Sequence, residues 1–107
     1  MRVIISARVK TFLQAEQSYL QRHSTSAWKN VAARLRQTRK LLAEFPLAGS
    51  EKPLPIEGLR RFVMGDYILD YEVRNDEVHI LNMRHGRQSD PDLEYEPDFD
   101  YETGDTP

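Results

Sequence analysis

Apolar positions along the first 87 residues follow two periods, and the change between them falls at a proline-rich loop. Val3, Ile4 and Ile5 make a short apolar run suited to a strand, and Ser6 stands where a helix N-cap would. Val9, Phe12, Leu13, Tyr19 and Leu20 then approximate a helical stripe with a polar gap at Glu16, which predicts a helix over 7–22. Ser24 to Ser26 interrupt it with capping residues. Trp28, Val31, Ala32, Leu35, Leu42 and Phe45 recur at helical spacing, so a second helix is expected over 26–44, stopped by Pro46. Trp28 and Tyr19 fall within the apolar stripes and read as core. Two helices joined so tightly form an antiparallel hairpin.

Residues 46–58, PLAGSEKPLPIEG, are a loop, and beyond it the period becomes that of strands: LRRFVM, YILDYEV and EVHILNMR. Gly65-Asp66 and Asn75-Asp76 separate them, and both dipeptides suit two-residue hairpin turns, where positive φ is needed. In the middle strand Tyr67, Leu69, Tyr71 and Val73 share one face while Asp70 and Glu72 take the other. The expected fold class is therefore α+β: an N-terminal strand, an antiparallel helix hairpin and a three-stranded antiparallel meander. The helices pack on one sheet face, and the other face is left open.

Length and composition narrow the chemistry. The 107 residues suit one domain, and 39% hydrophobic with 30% charged residues describe a globular chain. No apolar run approaches the ~18 residues of a membrane span, and MRVIISARVK is too short and too early charged for a signal peptide, so a cytoplasmic location is expected. Zero cysteines exclude thiolate catalysis and Cys-based zinc sites. The histidines, His23, His79 and His85, are scattered, so neither a metal nor a cofactor is expected.

The net charge of −2 hides a division: residues 88–107 hold eight of the 17 acids and none of the 15 Lys and Arg. Nine acids against 15 bases leave the preceding body near +6. The chain thus divides into a domain over 1–89 and an acidic tail over 90–107. In the tail Leu93, Tyr95, Pro97, Phe99 and Tyr101 alternate with Glu94, Glu96, Asp98, Asp100 and Glu102, giving an extended chain one aromatic and one anionic edge. Against order stand its high charge and Pro97.

Cations gather where the sheet ends. Arg60 and Arg61 begin the first meander strand, Arg84 and His85 end the last, and Arg87 follows Gly86. Alternation across a strand sends one of each adjacent pair away from the helices. Together they are the candidate target-binding surface, set against the plainer reading of solvated charges at strand ends. His79 reads as a mid-strand packing or surface residue. Lys29, Arg36 and Lys40 share one face of the second helix, as a solvated face or a partner surface.

The order of these elements and the wording of GLRRFVMGDYILDYEVRNDEVHILNMRHGRQ resemble the RelE/ParE superfamily of bacterial type II toxins. Its members read "GLR", a "Y-I-L-Y-V" strand, a turn, an "I-L" strand and "HGRR" or similar, and the resemblance covers residues 1 to about 89. It implies a toxin bound and silenced by a cognate antitoxin. Two activities occur: RelE-like members are ribosome-dependent endoribonucleases that cut mRNA, and ParE-like members poison DNA gyrase. This chain is closer to ParE, because its loop carries a single lysine, Lys52, between prolines, and no tyrosine follows His85 before Tyr95. The gyrase reading implies no catalytic residue. The nuclease alternative would use Arg61, Arg84 and His85, with His85 as acid or base and the arginines on phosphate. A degenerate toxin acting only as an antitoxin-binding module is a third reading.

Overall fold

The computed structural model describes residues 1–51 and 58–86. Its elements are β1 (Arg2–Ile5), α1 (Ala7–His23), α2 (Thr25–Glu44), β2 (Ser50–Glu51), β3 (Arg60–Met64), β4 (Tyr67–Arg74) and β5 (Glu77–His85). The expected α+β class is observed, with two strand relationships that periodicity did not reveal. β1 pairs in parallel with β5, the last strand, and the two-residue β2 adds to β3, giving the sheet order β1-β5-β4-β3-β2.

Caps set the helices. The Ser6 hydroxyl accepts from the Val9 amide and donates to the Leu81 carbonyl, both at 3.2 Å, so one side chain begins α1 and ties it to β5. Ser24 alone separates the helices: its amide donates to the Leu20 carbonyl, and its hydroxyl accepts from the Ala27 amide. Both dipeptide turns form as expected. Asn75 and Asp76 have φ of 54° and 60°, the sign pattern of a type I′ turn. At the other turn Gly65 has φ of 61°, and a β-carbon there would collide with the Arg34 guanidinium.

Both helices lie on one face of the sheet. Val9 and Leu42 pack with Met64, Tyr67, Leu69, Tyr71, Val78, Ile80 and Met83, flanked by Val3, Ile5, Phe12, Leu13, Val31, Leu35 and Phe62. Burying such side chains stabilises the fold by about 1.5–3 kcal/mol each before the entropic cost of ordering them. Tyr19, expected in the core, is 53% exposed and lies against the His23 ring at 4.6 Å, on the outer side of α1. Trp28 is half-buried.

Candidate functional site

A β-bulge decides where the cations point. Val78 and Ile80 face the helices, and strict alternation would send Asn82 and Arg84 the same way. Instead the register slips between Asp70 and Tyr71, with Tyr71 opposite Ile80 and Asp70 opposite Asn82, so Leu81 is the additional residue. Met83 and His85 are thereby turned to the helix face and Arg84 to the helix-free face.

The expected cationic surface is divided accordingly. Arg60, opposite Tyr71, is on the helix side, where Nη1 donates to the carbonyls of Gly49 at 2.7 Å and Leu47 at 3.3 Å. Tyr71 holds the same loop, its hydroxyl accepting from the Gly49 amide and donating to the Pro46 carbonyl, each at 2.8 Å. Gly49 is required there: a β-carbon would lie 2.7 Å from the Arg61 carbonyl and 2.8 Å from the Tyr71 ring. Arg60 is thus part of a clamp on the α2–β2 connection, a role its position in the sequence did not signal.

Arg61 and Arg84 are on the helix-free face. Arg61 Nε donates to Asp70 Oδ1 at 2.9 Å, with side chains only 10% and 8% exposed. Arg84 is 7% exposed. Substituting it therefore changes a buried side chain, and the small stability effect usual at surface sites does not apply. Further along that face His79 Nε2 lies 3.3 Å from Glu77 Oε1, within ion-pair range but not aligned for a hydrogen bond. Arg87, Lys52 and the tail 90–107 fall outside the described residues.

His85 enters a network that includes a residue read as a gap. Glu16, buried midway along α1, accepts a 2.6 Å hydrogen bond from the Tyr67 hydroxyl through Oε2, and its Oε1 lies 3.0 Å from His85 Nε2. Phe12 meets both rings edge-on, and the Tyr67 and His85 rings are 5.1 Å apart. The signal was present in the spacing: Phe12 and Glu16 are four apart on one helix face, and a carboxylate inside an apolar stripe needs buried donors. Beside this network an open groove of about 290 Å³ lies between the helices and the β3–β4 turn, lined by Leu20, Val31, Arg34, Met64 and Asp66 among others.

Burial raises the pKa of Tyr67 far above the ordinary tyrosine value, reinforced by its bond to Glu16 and the nearby carboxylates of Glu16 and Asp66. Tyr71 is also raised by burial, opposed by the Gly49 hydrogen bond and the Arg60 charge. In alkali the unfolded chain then releases protons that the folded chain retains. Stability should be unaffected by these groups below about pH 10 and fall above it, by about 1.4 kcal/mol per pH unit for each tyrosine still neutral. Tyr67→Phe should flatten that fall in urea melts taken at several pH values. An unchanged alkaline slope would show that Tyr67 titrates normally.

Among the described residues no three His, Asp or Glu side chains are grouped to hold a metal ion. No described helix is long and apolar enough to cross a membrane.

The described residues form a helix hairpin on one face of a small mixed sheet. The fold is similar to a solved chain of a chromosomal ParDE TA system from P. aeruginosa, with a TM-score of 0.64 and 16% identity over 79% of this chain and 95% of that one. No curated protein matches the sequence. The family model described as ParE toxin of type II toxin-antitoxin system, parDE, matches residues 3–90. The chain belongs to the ParE toxin family of type II toxin-antitoxin systems.

Proposed function

We propose that this chain is held silent by a cognate antitoxin protein and, when free, inhibits DNA gyrase without cutting RNA. One observation carries the choice of activity. RNA cleavage requires an acid or base and phosphate-binding cations around one phosphate. Arg61 and Arg84 point to the helix-free face, whereas His85 points to the helix face and is engaged by Glu16. Arg61 is further engaged by buried Asp70. A sheet therefore lies between the histidine and the arginines that the nuclease mechanism would combine. Membership of the parDE family supports the antitoxin, and a body near +6 suits a partner with acidic residues.

Purified chain, freed of antitoxin, is added in parallel to gyrase supercoiling reactions and to programmed ribosomes. Supercoiling should be inhibited and the messenger left intact. His85→Gln should leave the inhibition within about threefold, since the histidine faces away from the arginines and a change of 1.4 kcal/mol corresponds to tenfold. Cleavage of mRNA, abolished by His85→Gln, would overturn this reading in favour of the ribosome-dependent nuclease.

A further inference from the structure

We propose that the outer face of α2 binds double-stranded DNA through its phosphates, with Lys29, Arg36 and Lys40 as the contacts and no preference for base sequence. The first observation is how charge is divided between the layers. α1 carries three Lys and Arg and α2 carries five, all of them exposed, against two acids, of which Glu16 is buried and only Glu44 is at the surface. The sheet is arranged differently. Arg2 lies 3.3 Å from Glu77, Arg61 2.9 Å from Asp70 and Arg74 3.4 Å from Glu72, so these cations meet carboxylates of their own or a neighbouring strand. Among the described residues none of Lys29, Arg36 and Lys40 is within ion-pair distance of a carboxylate.

The second observation is the chemistry of that face. Lys29, Arg36 and Lys40, seven and four residues apart, stand in one row of the helix, with Ala33 between the first two. No large apolar side chain of α2 is exposed. A docking face for a folded protein has an apolar core inside a polar rim, whereas this one has cations around alanine. Arg36 and Lys40 also repel each other at their spacing, and an anion lying between them relieves that repulsion.

The third is spacing, which selects the polyanion. At about 1.5 Å per residue the row places Lys29 and Arg36 roughly 10 Å apart along the helix axis and Arg36 and Lys40 about 6 Å apart. The grooves of B-form DNA are about 12 and 6 Å wide, so α2 laid across the duplex sets each of the three cations near a phosphate backbone. A-form RNA, with a narrow major groove and a wide minor one, does not offer that pair of gaps. The attraction is local: the whole chain has a net charge of −2, but charges more than about 10 Å apart are largely screened near 0.1 M salt. Phosphate contacts carry no base information, so the binding is independent of sequence. The inference does not depend on gyrase being the target.

The chain of 107 residues is titrated into a fluorescently labelled duplex of arbitrary sequence, and anisotropy is read at several salt concentrations. Three neutralised phosphates give a slope of log affinity against log salt of about −2.7, so binding should weaken about 40-fold between about 50 and 200 mM. Arg36→Gln should bring that slope about 0.9 closer to zero, and the triple change Lys29→Gln, Arg36→Gln and Lys40→Gln should lower affinity at about 50 mM salt by about tenfold or more. Arg74→Gln, exposed on β4, should leave affinity within about twofold. Glutamine is a good helix former, so urea melts of the variants should match that of the parent chain. A duplex of scrambled sequence should bind equally, and an RNA duplex should bind about fivefold more weakly or worse. No binding at about 50 mM salt, a slope shallower than about −1, or a triple variant that binds like the parent would each overturn the site. RNA bound as tightly as DNA, or displacement of the duplex by polyglutamate at equal charge concentration, would overturn duplex DNA as its occupant. None of these measurements contains gyrase, so their outcome is separate from that of the inhibition proposed above.

Discussion

Glu16→Ala should lower the free energy of unfolding by about 3 kcal/mol, seen as a lower urea midpoint at an unchanged slope. The carboxylate is acceptor to the Tyr67 hydroxyl at 2.6 Å and lies 3.0 Å from His85 Nε2, within a layer that Phe12 closes. Removing it strands a buried phenol, at a cost of about 1–3 kcal/mol, and leaves a void whose lining collapses only in part. Glu16→Gln keeps an acceptor and should cost about 1 kcal/mol, in line with the lower strength of neutral hydrogen bonds. In a cycle with Tyr67→Phe the two positions should couple by more than about 0.5 kcal/mol, as groups sharing a bond do. A loss below 1 kcal/mol for Glu16→Ala, with no coupling, would mean that water replaces the carboxylate freely.

Asp70→Ala should cost a similar amount, about 3 kcal/mol, for a different reason. The Arg61–Asp70 pair spans adjacent strands with both side chains nearly buried, and deleting Asp70 removes a charge-assisted hydrogen bond from a desolvated guanidinium. The paired change Arg61→Met with Asp70→Leu should recover most of the loss, because a buried ion pair exchanged for apolar residues of similar volume is often neutral. Denaturant melts of the three variants separate the cases. If the double variant is as unstable as Asp70→Ala, the pair contributes specific packing that apolar side chains cannot replace.

Much of the fold was legible because its signals are local. Ser6, Ser24 and Pro46 bound the helices where capping and the missing amide require, and Gly65-Asp66 and Asn75-Asp76 fix two hairpins through backbone sign alone. The parallel union of β1 with β5 was not legible, since it joins residues 75 apart and leaves no mark on either segment. The site was read less completely. Period-two alternation does not register a bulge at Leu81, yet that one residue determines that His85 and Arg84 part company. Glu16 looked like an interruption because a helical wheel scores polarity, whereas its hydrogen-bond partners Tyr67 and His85 come from β4 and β5. Arg60 and Arg61 showed their charge in the sequence but not their engagements, one with the Leu47 and Gly49 carbonyls and one with Asp70.

The union of β1 with β5 also bears on when this protein becomes itself. Residues 2–5 are made well before their partners 77–80, so no ribosome-bound fragment short of β5 can complete the sheet. At about 5–20 residues per second the chain spends several seconds with an apolar N-terminal strand and a helix hairpin awaiting their floor. Closing so long a loop is entropically costly and slows folding after release. During that interval β5, which carries Arg84 and His85, has not yet joined β1 and β4, so the finished sheet and both of its faces exist only once β5 has been made.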